Sequence, residues 1–335
     1  MKSSWKTLYH FFLLFLSLAL LVGLAVYVYR NGESFERLKQ IDLSIIALLI
    51  GFHVVNYLLL GITHAYPLSK YGVYLKFKDW YGLATISEMF NYLLPARGGS
   101  AIRLLYLHDK YHISKRELLS MGLAVVMTGF LMLGIFGAIY CHLFLSHINP
   151  LFYALEILYV GVTVSSLIFV FASDFVISLL KMDAKYSPKK YLVDKKIMGV
   201  SSLCYLGMLL INPIKIYLSF KAIGIDLGLT ETIEMSLILL ASSFFQVVPG
   251  NIGVKEMATA YIGKQYGIQF ETALLASLID RSIMMLFLFP VGFYSYWSLM
   301  LKGSFSAINL QSSGASSRIP LIKRLVKLRW PLLPK

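Results

Sequence analysis

The chain has 335 residues, of which 58% are hydrophobic and 14% are charged, and its mean hydropathy is +0.70. Soluble domains average about 45–50% apolar and about 25% charged residues, so this composition excludes an ordinary soluble protein. The 22 Phe and 22 Tyr residues exclude a disordered or collagen-like chain. The net charge of +14 fits basic loops beside anionic lipid better than it fits nucleic-acid binding.

Six apolar runs are long enough to cross a bilayer as helices, which needs about 20 residues each. They lie at residues 8–29, 43–62, 117–145, 151–171, 197–220 and 270–300. The first run is too long for the core of a signal peptide and lacks a cleavage site, so it is predicted to be a retained anchor. We therefore predict an all-α polytopic membrane protein with about six spanning helices.

Two weaker apolar stretches, residues 80–112 and 230–266, are each interrupted by a cluster of Pro and Gly. A broken helix in a bilayer exposes backbone N–H and C=O groups that only protein or a wet cavity can satisfy. The half-helices beside each break have only ~10–15 residues, which is too short for a span. Each stretch is therefore predicted to form a re-entrant hairpin, unless both breaks are simply packing kinks.

The two interrupted stretches resemble each other in the order of break, short helix and long span. The basic segment 181–196 and the uncharged loop 147–150 predict, by the positive-inside rule, that both termini are cytoplasmic. The spans before the two hairpins then cross in opposite directions, so the repeat-like units at about 43–145 and 197–300 are predicted to be inverted. Interrupted segments at corresponding positions of inverted repeats point to a transport site near the midplane.

The last part of the chain differs from the rest in composition. A Gly/Ser-rich linker precedes a basic amphipathic segment, residues 319–330, which is predicted to lie on an anionic leaflet. We therefore divide the chain into a transmembrane domain, residues 1–300, and a linker with a basic cytoplasmic tail, residues 301–335.

Charged residues gather around the two breaks. Each isolated charge at membrane depth costs at least ~2.5–3.5 kcal/mol, so several of them imply partners or water. Half-helix N-termini present N–H groups and a positive dipole end, and the planar fork of Arg matches phosphate oxygens. The predicted binding site for an anionic lipid head group comprises Arg97, Gly99, Arg103, Gly250, Gly253, Lys255, Glu256 and Arg281, with Pro95 and Pro249 as the helix breaks.

Alternatives remain for several of these residues. Arg97 and Arg103 can instead snorkel to the cytoplasmic interface, and Arg281 can form an interfacial pair with Asp280. For Glu256, neutralising a buried cation is favoured over acting as a base.

No metal, cofactor or catalytic residue is predicted. Cys141 and Cys204 lie in apolar segments without metal-ligand spacing, and His108 and His112 lack the context of a zinc motif. Nucleotide-binding, dinucleotide-binding and Ser-nucleophile motifs are missing from the sequence. The expected partners are an anionic or polyprenyl-phosphate lipid and, through the basic tail, an anionic membrane surface, with no nucleic acid. The oligomeric state is left open, including a homo-oligomer.

Two motifs carry a resemblance to a known family. The first reads NYLLPARGGSAIR from residue 91, and the second reads PGNIGVKE from residue 249. They resemble the signatures N-x-L-L-P-x-R-x-G-[ED]-x-x-R and P-G-G-x-G-x-x-E of the lysylphosphatidylglycerol synthase transmembrane, or flippase-like, family. The similarity extends over roughly residues 8–300, although only the two motifs are specific.

The resemblance implies a lipid-translocating role for the membrane part of the chain. The best-known member of the family joins this domain to a cytosolic aminoacyl transferase, and we expect the present chain to be a stand-alone membrane domain. Three departures from the pattern affect selectivity: Ser100 replaces an acidic residue, Asn251 replaces Gly, and residues 124–128 lack an E-R pair. A lysyl-lipid is therefore not assumed to be the cargo.

The leading hypothesis is a plasma (inner) membrane translocase for an anionic phospholipid or polyprenyl-phosphate-linked head group, without turnover of covalent bonds. The alternative is an integral-membrane glycosyl- or aminoacyl-lipid transferase, or an accessory subunit of one, which would leave a covalent product. A third hypothesis is a binding or scaffold protein.

Overall fold

A computed structural model describes residues 41–94, 97–145, 150–179, 183, 186–242 and 249–301 of the protein. The predicted first span (8–29), Pro95 and the predicted tail lie outside these residues. The described part is α-helical with short 3₁₀ and π turns, and it contains no β-strand. The all-α prediction is therefore confirmed.

We number the ten helices of the described part in chain order. They are α1 (Leu43–Ala65), α2 (Phe77–Leu93), α3 (Gly98–Tyr111), α4 (Lys115–Tyr140), α5 (Pro150–Leu179), α6 (Lys189–Leu192), α7 (Lys195–Lys221), α8 (Leu229–Ala241), α9 (Val254–Gln265) and α10 (Phe270–Tyr296).

Five helical segments of the described part are long and apolar enough to cross a membrane. They are Leu43–Tyr71, Lys115–Leu143, Tyr153–Phe175, Lys195–Lys221 and Phe270–Met300. Large apolar side chains such as Phe171, Leu203 and Leu286 are exposed on these segments, as lipid-facing residues are. The protein is a polytopic membrane protein, and these segments match five of the six predicted spans.

The ends of the spans meet in two apolar clusters at opposite ends of the bundle, which we call the first face and the second face. The first-face cluster contains residues of α1's 3₁₀ extension, α4, α7 and the end of α10: Leu68, Leu118, Ile197 and Met300. The second-face cluster contains residues near the opposite ends of α1, α7 and α10: Leu49, Phe220 and Ala273. Helices α1 and α10 therefore run antiparallel to α7.

The helix starts at these faces follow from capping residues in the sequence. The first N–H groups of a helix have no partner within it, so a side-chain oxygen just before the helix satisfies them. Asp42 accepts from Ser44 N–H at 2.8 Å, Ser114 accepts from Glu117 N–H at 3.2 Å, and Asp194 caps α7. Three of the spans therefore begin at a polar cap.

Helices α2–α3 and α8–α9 form two helix–break–helix units, which we call the first and second hairpins. The first hairpin packs into the first-face cluster through Leu83 and Leu107, and the second into the second-face cluster through Met235 and Ile262. Helix α2 also contacts the turn Pro249–Asn251 of the second hairpin. The two breaks therefore meet inside the bundle.

Candidate functional site

Two adjoining cavities lie between the breaks. The larger chamber has a volume of about 400 Å³ and is bounded by α1, α2, α4, α7, α8, α9 and α10, together with Arg97 of the first break. The smaller chamber has a volume of about 250 Å³ and extends toward α3. Glu88, Tyr92, Arg97 and Lys255 border both chambers, so the two cavities share one polar wall.

The first break is a sharp turn between α2 and α3. Arg97 takes the left-handed conformation (φ 54°) and lines both chambers. Asn91 Oδ1 accepts from Gly99 N–H at 3.0 Å, so this N–H at the start of α3 already has a partner. A Cβ at Gly99 would lie 1.8 Å from the carbonyl oxygen of Ser87. Gly99 is therefore required for the close packing of α3 on α2.

Arg103 lies five residues into α3 and borders the smaller chamber, together with His64 of α1 and Ser100. At a rise of about 1.5 Å per residue, its Cα is roughly 8 Å along the helix from Gly98. Arg97 and Arg103 thus reach the same polar space from the turn and from the following helix.

The second break has three residues with positive φ: Gly250 (60°), Asn251 (53°) and Gly253 (84°). Asn adopts a positive φ more readily than other non-glycine residues do. Asn251 can therefore stand where the family motif has Gly. Arg281 of α10 donates to the carbonyl of Gly250 at 3.1 Å and to that of Asn251 at 3.4 Å. The turn is therefore held by a side chain from the next span.

Glu256 connects α9 to this arrangement. Its side chain is fully buried, and Oε2 accepts from Gly253 N–H at 2.8 Å, which caps the helix. Its other oxygen forms an ion pair with Arg281 Nε, and the Arg281 guanidinium lies 5.7 Å from the ring centroid of Tyr92. One Arg–Glu pair thus joins α10, the second break and the end of α2.

The predicted site residues fall into three groups. Those that border the chambers are Arg97, Arg103, Gly250, Lys255 and Arg281. Gly99, Gly253 and Glu256 build the breaks without being among the chamber-lining residues. Pro249 begins the 3₁₀ turn Pro249–Asn251, and Pro95 lies outside the described residues.

Several chamber residues were not among the predicted site residues. His53 and Lys215 line the larger chamber from α1 and α7, and Glu88 lines both chambers from α2. Asp280, which the sequence suggested as a partner of Arg281, instead lies 3.0 Å from His53 Nε2. His53 and Lys215 are ionisable residues inside predicted spans, and that signal was present in the sequence.

The chambers are lined by more positive than negative side chains. The cations are Arg97, Arg103, Lys215, Lys255 and Arg281, and the carboxylates are Glu88 and Asp280. Within the described part of the chain, the charged groups of Arg103, Lys215 and Lys255 form no hydrogen bond or ion pair. These three cations are therefore available to an anion.

The described residues offer little for a metal ion. They contain no group of three or more His, Cys, Asp or Glu side chains close enough to hold one. Cys141 and Cys204 are buried free thiols. His108 bonds through Nδ1 to the carbonyl of Ile113 at 2.7 Å, at the end of α3.

Comparison with known proteins identifies a family. The model of the family described as "Lysylphosphatidylglycerol synthase TM region" matches residues 13–292, which include both breaks and every residue named above as lining a chamber. No curated protein and no solved structure matches the chain.

Proposed function

Because this chain belongs to the lysylphosphatidylglycerol synthase transmembrane family, we propose that it moves a lipid with an anionic head group between the two leaflets. The observation that carries the proposal is the set of three cations, Arg103, Lys215 and Lys255, which line the chambers without a hydrogen bond or ion pair among the described residues. Charge at this depth is costly unless it is paired or hydrated. An anionic head group, or water in its absence, would offset that cost.

The chemistry of the lining favours a phosphate over other anions. Arg97 and Arg103 border the smaller chamber together, and guanidinium groups bind phosphate oxygens through paired, charge-assisted hydrogen bonds. Lys255 adds a point charge at the wall between the chambers. We therefore propose a phospholipid or a polyprenyl-phosphate-linked head group as cargo.

The extent of the chambers supports a path across the membrane. His53 borders the larger chamber and His64 the smaller, and the two residues are both on α1. Their separation of eleven residues corresponds to about 16 Å along a helix, about half of a hydrocarbon core that is ~30 Å thick. We propose that the two hairpins re-enter the membrane from opposite faces and that their movement opens the chambers alternately.

The basic residues at the first face support an orientation in the membrane. Lys189, Lys190, Lys195 and Lys196 belong to the segment that packs there, and positive charge is retained on the cytoplasmic side. We therefore propose that the first face is cytoplasmic in a plasma (inner) membrane, with both termini on that side and the basic tail on the anionic leaflet.

The test is exchange of NBD-labelled phosphatidylglycerol between leaflets of proteoliposomes, measured by dithionite quenching. A hydrogen bond to a charged group contributes about 1.5–3 kcal/mol of stabilisation, and a loss of about 1.4 kcal/mol lowers an equilibrium or rate constant tenfold. Arg103→Gln and Lys255→Gln are therefore each expected to slow exchange about tenfold to a hundredfold. If both variants exchange lipid at the wild-type rate, the chambers are not the binding site.

Arg116→Gln is the matched control, because it removes a cation outside the chambers. Arg116 lies in the first turn of α4 with its guanidinium 5.8 Å from the ring centroid of Tyr186, and the variant is expected to keep the wild-type rate. Glu256 is unsuitable for this test, because its loss would leave the largely buried Arg281 without its ion-pair partner and disturb the fold.

The exchange experiment, together with lipid analysis, also tests the transferase alternative. If wild-type proteoliposomes exchange no lipid, and lipid mass spectrometry of a deletion strain shows that a glycolipid or aminoacyl-lipid is missing altogether, the transferase or accessory-subunit hypothesis replaces the proposal. A lipid that is made but retained in one leaflet supports translocation.

A further inference from the structure

A histidine–carboxylate pair lies in the wall of the larger chamber, and the proposed head-group site does not use it. His53 of α1 is 2% exposed, and its Nε2 lies 3.0 Å from Asp280 Oδ1 on α10. Both residues are within segments that are long and apolar enough to cross the membrane. Ionisable residues at such positions are costly, and in transporters they form proton relays.

The pair faces a mostly cationic environment. Titratable or charged groups line the same chamber from every neighbouring element that carries one: Tyr57 of α1, Glu88 and Tyr92 of α2, Arg97 of the first break, Tyr205 and Lys215 of α7, Lys255 of α9 and Arg281 of α10. Helices α4 and α8 contribute only uncharged lining, such as Gly129, Leu133 and Ser236. Asp280 and Glu88 are the two carboxylates among these described lining residues.

Lys215 connects the pair to the cargo site. Its side chain is largely buried, with 9% of the residue exposed, and it lines the chamber without a hydrogen bond or ion pair among the described residues. A neutral His53 leaves the pair with a charge of −1, so the pair and Lys215 together are neutral. A protonated His53 makes the pair neutral, and the three groups together then carry +1.

The charge offered to an anion therefore depends on a proton. Protonation of His53 makes the chamber more positive and raises its affinity for an anionic head group. By thermodynamic reciprocity, a bound anion raises the affinity of His53 for the proton by the same factor. Histidine is suited to this role because its charge changes near physiological pH.

We propose that the His53–Asp280 pair is a proton-binding site through which this chain carries one proton together with each anionic head group. The inference rests on the proposed translocation. The imidazole of His53 gains an N–H bond when the proton enters from one face and loses it when the proton leaves at the other. A singly charged anion and a proton move without net charge, so transport responds to a pH difference and not to a voltage.

The experiment imposes a difference of one pH unit across proteoliposomes that contain NBD-labelled phosphatidylglycerol, with the voltage clamped by valinomycin and potassium. Coupling of one proton to one lipid drives the label toward the alkaline side, up to tenfold per pH unit, because one unit is worth 1.36 kcal/mol. Protein-free vesicles measure the redistribution that the gradient causes without the protein. Each variant's response is compared with its own exchange at equal pH.

His53→Gln and Asp280→Asn are expected to lose the response to the gradient. His142→Gln is the matched control, because His142 forms a similar pair with Glu156 at 2.8 Å but is exposed and outside the chambers. Wild-type exchange that ignores the gradient would overturn proton coupling and leave the proposed translocation intact. Absence of any exchange in wild type would remove the proposed function and this inference with it.

A second measurement uses only the wild-type protein, so its result does not depend on whether a variant folds. Short-chain dihexanoyl-phosphatidylglycerol is added to the purified wild-type protein in weakly buffered detergent near pH 7, with pyranine as the proton indicator. We expect uptake of up to one proton per chain as the anionic lipid binds. Binding without proton uptake would contradict the proposal.

Discussion

Gly250 shows how a single residue fits the two breaks together. It adopts φ 60°, and a Cβ at this position would lie 2.1 Å from Cδ1 of Tyr92. Two separate requirements therefore select glycine: the left-handed backbone and the close approach of an aromatic ring from the other hairpin. Its carbonyl, in turn, accepts from Arg281, so the same residue is held from both sides.

Replacement of Gly250 tests the second requirement. Gly72 also has a positive φ (67°), but a Cβ there would meet nothing within 4 Å. Gly72→Ala is expected to cost about 1–2 kcal/mol of stability from backbone strain alone. Gly250→Ala is expected to cost more, because Tyr92 must also move, and thermal unfolding in detergent compares the two. Equal losses would show that the hairpins do not meet at Gly250.

The Arg281–Glu256 pair explains why neighbouring charges in the sequence have different roles. Arg281 holds the second break and Asp280, one position earlier, holds His53 of a different helix. Adjacent residues on a helix point about 100° apart, so they face different partners. Asp280 and Arg281 therefore bind different partners and do not form the interfacial pair that the sequence suggested.

At the scale of elements, the start of α7 is linked to the 3₁₀ turn Tyr66–Tyr71 that follows α1. Asp194 Oδ1 accepts from the N–H groups of Lys196 at 3.0 Å and Ile197 at 3.1 Å, and Oδ2 lies 2.9 Å from Lys70 Nζ. The cap satisfies N–H groups that a spanning helix leaves open at its first turn. The side chain of Asp194 thus caps the first turn of α7 and links it to the turn that contains Lys70.

Substitution of Asp194 is expected to weaken this junction. Asp194→Ala should lower stability by about 1 kcal/mol through loss of the cap, whereas Asp194→Asn keeps a capping oxygen and loses only the ion pair with Lys70. The backbone amide of Ile197, followed by the Lys70 ammonium, holds the pKa of Asp194 below its ordinary value of 3.8. Unfolding temperatures in detergent measure both variants.

The lowered pKa also gives the sign of the pH dependence. The stabilisation by Asp194 is fully present above about pH 4 and is lost as the pH falls through the folded-state pKa, because the unfolded chain binds the proton more readily. The Asn variant lacks this contribution, so its loss of stability relative to wild type should shrink in acid. A constant difference between the two proteins from about pH 7 to pH 3 would contradict the assignment.

For the whole molecule, the packing of five candidate spans and two hairpins defines two faces, and the proposed orientation can be measured. Lys195 and Asp226 are both exposed, one at the start of α7 and one just after its end. In intact cells an impermeant maleimide is expected to label Asp226→Cys but to label Lys195→Cys only after permeabilisation. The native Cys141 and Cys204 are buried, so the unmodified protein is the control. The reverse pattern would invert the orientation.

The sequence predicted the helical spans well because their signal is local. A helix must cover about 30 Å of hydrocarbon with apolar residues, and this requirement can be read from composition alone. The ends were less accurate: the run predicted at 151–171 lies within α5, Pro150–Leu179. A helix can continue beyond its apolar run until a capping residue, a break or a turn ends it, so the apolar run does not mark the helix ends.

The candidate site could be predicted only in part. Arg97 and Arg103 lie six residues apart at the first break, and Lys255 adjoins Glu256 at the second, so the sequence alone is enough to group each pair. His53 stands out in the sequence as an ionisable residue within a predicted span, but only the packing of α1 and α2 brings it and Glu88 to the chamber. His53 and Asp280 are 227 residues apart, and no periodicity links positions so distant.

The sequence by itself thus determined that this is an α-helical membrane protein with two broken hairpins that carry cations, since apolar length and Pro/Gly breaks act through the local backbone. The tertiary structure alone decided that the breaks meet at one pair of chambers, that Glu256 is committed to Arg281, and that His53 lies against Asp280. Those contacts depend on the register and rotation of helices that are distant in the chain, and packing in three dimensions selects both.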